Sequence, residues 1–235
     1  MEKRIVECEE KIEKDDYEML DRFFSNYTGV DAKNPAPKFV NYIGPTREIM
    51  LRDAKIAVKY CVTDITDRTD KGLVIENDQI FADEQIKKAY ISAEQVILFV
   101  SSVINIDDII NAHPEMMEKY FIEYWAVAML AVVREKLIQT LNKELEADGK
   151  KLTSPWSPGQ AQFRLINQKP LFEVLKPETI GVKLDKNMRM LPLKSVSGTL
   201  GIIPSEFEEE MISCDFCEHA RNCPAYKGKR WKNIS

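Results

Sequence analysis

Histidine is nearly absent: His113 and His219 are the only two in 235 residues. Neither sits in a nucleophile motif, so a Ser/His/Asp site is poorly supported. The chain has no G-x-x-x-x-G-K-[ST] loop and no G-x-G-x-x-G turn, which argues against an NTPase or a dinucleotide-dependent dehydrogenase. Basic charge is not in excess. Asp and Glu outnumber Lys and Arg by 38 to 33, giving a net charge of −5 and a pI of about 5.3. A general nucleic-acid binder would show the opposite balance. Long apolar runs are missing as well. The longest, Trp125–Val133, lies between Glu123 and Arg134 and is far too short to span a bilayer. Met1–Asp16 is dense in charged side chains and has no apolar signal core. A cytoplasmic protein without nucleic-acid or membrane partners is the expectation. No internal repeat and no low-complexity tract interrupts the chain.

What is present is ordinary globular chemistry: 44% hydrophobic, 30% charged and 9% aromatic residues. The length suits one large domain, alone or with a small appendage, and a core of that size needs no disulfide staples. The five cysteines, Cys8, Cys61, Cys214, Cys217 and Cys223, are odd in number and do not suggest a disulfide framework. Three of them fall close to the C-terminal end.

Periodicity places the elements. Residues 9–24 read as an amphipathic start ended by a turn at Asn26–Gly29. Asn34–Pro37 is an extended loop, and Pro45-Thr46 opens a helical pattern running through Ile49, Met50, Ile56, Ala57 and Tyr60. Thr63–Phe81 reads as short strands turning at Asp70–Gly72 and Asn77-Asp78, with a short helix over Asp83–Tyr90. Val96–Val100 is a buried strand. His113-Pro114-Glu115 opens the strongest helix, with Gly149 as its C-terminal cap. Its aromatic-rich face reads as core packing. Ser154–Gly159, with two prolines, is a loop, and Asn167–Leu175 a helix stopped by Pro177. Ile180–Leu184 and Met188–Leu191 form a hairpin, and Ser195–Ile202 a further strand.

Two stretches carry chemical potential. Cys214, Cys217 and Cys223 stand in a C-x2-C-x5-C spacing. A two-residue gap lets two thiolates address one ion from a tight turn, and a third can close the site. Thiolate sulfur suits zinc or an iron–sulfur cluster. His219 is either a fourth zinc ligand or solvent-facing. Cys8 and Cys61 are isolated and read as packing residues. The Pro155–Gly159 loop is the second candidate, because Pro and Gly let the backbone approach a ligand closely. The tail Lys227–Lys232 is basic and reads either as a solvated end or as a docking segment for an acidic partner.

A resemblance rests on motifs that follow one another in order: Ser157-Pro158-Gly159, Gln168–Leu175, Ile180–Leu184, Met190-Leu191-Pro192 and Lys194–Gly198. In this order they resemble the activation (reactivation) domain family of cobalamin-dependent methionine synthase, most closely its stand-alone bacterial members, which also tend to end in a three-cysteine segment. The likeness is strong over residues 154–202 and faint before residue 90. It implies an α+β fold: a single domain with a twisted, largely antiparallel sheet flanked by helices. Residues 1–205 would be that domain and residues 206–235 a cysteine-rich metal-binding segment. It also implies an accessory protein, the activation component of a cobalamin-dependent methyltransferase, assisting reductive reactivation. Its partners would be a corrinoid protein or split methionine synthase presenting the cofactor, and an electron donor protein.

In this resemblance the cofactor-binding positions are Ser157, Pro158, Gly159 and Gln160. The family motif Arg-x-x-Pro-Gly-Tyr uses its Arg for S-adenosylmethionine and sets its Tyr near the corrin. Here Pro155 stands in the Arg position and Gln160 in the Tyr position. Losing the guanidinium removes a planar carboxylate clamp, so weak or absent S-adenosylmethionine binding is the expectation. Arg164, in the following loop, is the nearest substitute. Two other readings stand beside this one: a metal-binding scaffold that kept the fold, and a corrinoid-protein reductase with an iron–sulfur cluster on the cysteines.

Overall fold

The structure, a computed structural model, describes residues 1–208 and 211–217. Cys223, His219 and the basic tail lie outside the described residues.

A long antiparallel ladder organises the molecule. Strand β2 (Ile56–Thr69) is its spine. The first half of β2 is flanked by β1 (Ile5–Glu10) on one side and β5 (Gln95–Val103) on the other. Its second half leaves β1 and pairs with β3 (Gly72–Ile75), which turns back into β4 (Gln79–Phe81). Beyond β5 come β9 (Ser195–Pro204) and the short β6 (Lys150–Leu152), so the order is β4-β3-β2-β5-β9-β6. Every pairing is antiparallel. A separate two-stranded hairpin joins β7 (Lys183–Leu184) to β8 (Met190–Leu191).

One face of the sheet is covered by helices α1 (Tyr17–Thr28), α2 (Val40–Asp53) and the 31-residue α5 (Met116–Glu146). Trp125 anchors this layer. It is fully buried, stacks on Phe24 with ring centroids 3.7 Å apart, and donates its indole N–H to Thr46 Oγ1 at 3.2 Å. Satisfying that N–H removes the cost of burying a polar atom with the ring. The C-terminal half of α5 continues over Tyr60, Ile97, Phe99 and Leu200.

The opposite face holds α3 (Glu84–Ala89), α6 (Gln168–Leu175) and the irregular chain between β6 and α6. The period-2 alternation of β5 separates the layers: Val96, Leu98 and Val100 face α6, whereas Ile97 and Phe99 face α5. Glycines on β9 allow close packing here. A Cβ at Gly198 would lie 2.7 Å from the Phe99 ring, and one at Gly201 would lie 2.8 Å from the Tyr90 ring.

The expected α+β architecture is what the chain forms. Several local expectations need correction. The N-terminal stretch begins as strand β1, and α1 runs on through Thr28 to Gly29, whose φ of +70° ends it. The helix around Pro45 starts earlier, at Val40, and carries the proline inside it, where the missing N–H forfeits one helical bond. It stops at Asp53. Ile56, Ala57 and Tyr60 are strand, because pairing on both edges outweighs the helical period. A short α4 (Ile106–Ala112), absent from the sequence reading, precedes α5. Asn105 joins it to α2 by accepting from Lys55 N and donating to Asp53 O.

Candidate functional site

The loop predicted from its prolines runs along the edge of β9. Thr153 N donates to Gly201 O at 2.9 Å. Trp156 then exchanges both backbone bonds with Thr199, at 3.0 and 2.8 Å, as a one-residue continuation of the sheet. Beyond Trp156 the chain folds on itself. Gln160 N donates to Ser157 O, Phe163 N to Gln160 O, and Gly159 N to Phe163 O at 2.6 Å. Gly159 has φ +94°, which favours glycine, and a Cβ there would sit 3.3 Å from Leu165 Cδ1. Ser157 and Pro158 are buried, and Gly159 and Gln160 are exposed. The four candidate cofactor-binding residues therefore form one self-braced turn, with its Gly-Gln tip outward.

Beneath it lies a polar track on the same face of β9. Ser197 donates to Gln168 Oε1 at 2.9 Å, and the Thr199 and Tyr90 hydroxyls lie 2.8 Å apart. Ser195, on the same face, lies four residues (roughly 13 Å) from Thr199 along the strand. Its hydroxyl is engaged with Ser102 Oγ and Pro192 O.

The cysteine segment comes to this loop. A 3-10 turn over Ser213–Phe216 carries Cys214 and ends at Cys217, whose N–H reaches Cys214 O at 3.3 Å. Ser213 Oγ donates to Pro155 O at 3.0 Å. The Phe216 ring lies 6.0 Å from that of Trp156, tilted by 40°. Met211 packs into the same core cluster. Trp156 is fully buried, yet among the described residues its Nε1 has no hydrogen-bond partner. An unsatisfied buried donor costs about 1–3 kcal/mol. Cys214 and Cys217 are free thiols of intermediate exposure. Among the described residues no three His, Cys, Asp or Glu side chains converge on a metal position. The third predicted ligand, Cys223, lies outside the described residues.

The isolated cysteines are elsewhere. Cys61 is buried in the second core cluster, and burial pushes its thiol up to about 12. Cys8 packs at the edge of the helical layer, and burial raises it too, with the nearby Glu10 carboxylate adding to the effect.

No protein-family model matches the chain, and no curated protein matches it. Among solved structures it is similar to the crystal structure of the MetH reactivation domain bound to AdoHcy. The TM-score is 0.61 with 14% identity, over 87% of this chain and 80% of that one. The fold is that of the MetH reactivation domain. Against a carboxylate such as the one AdoHcy carries, the loop's own residues do not supply a guanidinium clamp. Its one basic side chain, Arg164, turns away. Arg164 Nε donates to Asp83 Oδ1 at 2.6 Å, its backbone N to Asp83 Oδ2 at 3.0 Å, and its guanidinium also to Ala82 O at 2.7 Å. Asn167 Nδ2 donates to Asp83 as well. The MetH reactivation domain fold is thus kept while the arginine nearest the loop serves to join it to α3.

Other openings offer less. A polar hollow of about 610 Å³ lies between Asp64, Glu94, Gln95 and Lys150, and shares no residue with the loop. Among the described residues, no helix is long and apolar enough to cross a membrane. The contacts of Asp83, Ser213 and Phe216 were not legible in the sequence, since each partner lies more than 55 residues away.

Proposed function

We propose that this protein is an accessory component of a corrinoid-dependent methyl-transfer system, assisting reductive reactivation of a corrinoid protein or split methionine synthase. The likeness of fold to the MetH reactivation domain supports the reading. The observation that carries it is the contact of the Cys214–Cys217 turn with the Pro155–Trp156 stretch, which joins the two chemically promising stretches of the chain at one surface. Residues 1–205 are the docking domain. Residues 206–235 are a metal-binding segment in which Cys214, Cys217 and Cys223 hold one zinc ion or iron–sulfur cluster. The corrinoid arrives bound to the partner and supplies the methyl-accepting cobalt. This chain's part is to meet it with the exposed Gly159-Gln160 tip and to exclude water around it, and an electron donor protein completes the system. S-adenosylmethionine is not assigned to this chain, because Pro155 replaces the motif arginine and Arg164 is committed to Asp83.

The commitment of Arg164 favours a second reading, a metal-binding scaffold on the same fold. An anaerobic assay separates the two. A corrinoid protein in its Co(II) state is mixed with a low-potential reductant and a methyl donor, and recovery of the methylated form is followed by absorbance. Faster recovery with this protein present supports the accessory role, and an unchanged rate leaves the scaffold.

A further inference from the structure

Two segments about sixty residues apart meet at Trp156, and their meeting has a chemical consequence. We propose that residues 211–217 form a strap whose two thiolates take a soft divalent metal ion, and that ligation there is coupled through Phe216 and Ser213 to the Pro155–Gln160 loop. The proposal rests on the reading of Cys214 and Cys217 as metal ligands and adds what their ligation does.

The coupling follows from the order of residues. Phe216 lies between the two sulfurs in Cys214-Asp215-Phe216-Cys217, inside a turn already closed by the Cys217 N–H on Cys214 O. An ion held by both sulfurs fixes that turn, and a fixed turn fixes the one aromatic side chain within it. That side chain lies on Trp156, and Ser213 holds the carbonyl of Pro155. Beyond Trp156 the loop is braced by its own hydrogen bonds, so it responds as a unit. Among the described residues the buried indole N–H of Trp156 has no acceptor, so an arrangement of the strap that supplied one would be favoured over the present one. Phe216 and Ser213 are positioning residues in this scheme. Neither is a metal ligand, yet linkage requires that if metal steadies the loop through them, their loss weakens the metal.

The probe is Cd²⁺ added to the full reduced chain. Ligation is read from thiolate-to-metal charge-transfer absorbance, and the loop from hydrogen exchange of peptides covering residues 154–163. The expected result is slower exchange in those peptides on Cd²⁺ binding. In Phe216→Ala, Cd²⁺ should bind about 5-fold or more weakly with both sulfurs intact, and the slowing should disappear. Ser213→Ala, which removes a single hydrogen bond, should show the same changes to a smaller degree and guards against a misfolded Phe216 variant. Equal Cd²⁺ affinity in all three proteins, with exchange unaffected by metal, would overturn the coupling while leaving the metal site intact. Absence of charge-transfer absorbance in the wild type would overturn both this proposal and the metal assignment, without touching corrinoid docking.

Discussion

Asp83 holds Arg164 by two groups at once, the guanidinium Nε at 2.6 Å and the backbone N at 3.0 Å. The carboxylate is buried and is completed by the side-chain amide of Asn167. A cation bound this way has to give up its bonds to Asp83 and Ala82 before it can meet a carboxylate ligand at the loop. We therefore expect weak or absent S-adenosylmethionine binding. Losing one charge-assisted clamp costs on the order of 1.5–3 kcal/mol, about 10- to 150-fold in affinity. Calorimetry on the unmodified protein checks this, and micromolar binding would contradict it.

Thiol reactivity should divide along burial. Cys61 is 2% exposed, with its thiol pushed up to about 12, whereas Cys214 and Cys217 are accessible. The thiolate is the nucleophile, so alkylation of the metal-free protein at about pH 8 should label the strap pair first, Cys8 slowly and Cys61 only on unfolding. Mass spectrometry of a time course reads the order. Early labelling at Cys61 would refute the burial argument.

Lys59 is a buried cation on the sheet. Its Nζ donates to Glu7 Oε1 at 2.6 Å, Thr179 Oγ1 at 2.8 Å and Lys176 O at 3.0 Å, joining β1 and β2 to the turn after α6. Lys59→Met should destabilise the fold by about 1.5–3 kcal/mol in urea titrations. The hydrogen bond from Lys59 is the largest cause holding the Glu7 carboxyl below its ordinary range, followed by that from Thr179. A carboxyl lowered in the folded state stabilises above its unfolded value, about 4.3, and that contribution is lost as pH falls through the folded value. The stability difference between wild type and Lys59→Met should accordingly narrow below about pH 4. A difference that widens in acid would show that the pair does not behave this way.

Gly198 pairs with Phe99 across the β5–β9 ladder, and the Phe99 ring is buried. Gly198→Ala would put a methyl 2.7 Å from that ring and 3.1 Å from Trp156 O. Thermal unfolding should show a loss of about 1–3 kcal/mol, the range for overpacking a core. A neutral substitution would mean that the sheet and loop yield more easily than their burial implies.

The fold was legible in the sequence where one local rule dominates. The apolar run of β5, the Pro114-led α5 and the proline-bounded 154–159 loop each announced themselves. It was not legible where pairing decides. Ile56–Tyr60 carry a helical period but lie between two strands, and β1 is too charged to look like one. Pro45 read as a helix start, whereas the helix tolerates it internally. For the candidate site, spacing marked Cys214 and Cys217, and motif order marked Ser157–Gln160. That Ser213 and Phe216 would bring the two together was not legible, because a single hydroxyl and a single ring have no pattern in sequence. The Arg164–Asp83 pair was hidden for the same reason, with 81 residues between the partners.

The central claim is that the Gly159-Gln160 tip addresses a corrinoid while another protein holds it. Calorimetric titration of this protein against a candidate corrinoid protein, with and without its cofactor, tests it most directly. Tighter binding to the loaded form is expected, since contact with the exposed ring is what differs between the two. Gly159→Arg and Gln160→Glu should remove that preference, the second at an exposed position where folding is not at risk, while substitutions in the acidic N-terminal segment should not. Equal affinity for the loaded and cofactor-free forms, unmoved by either substitution, would contradict the account.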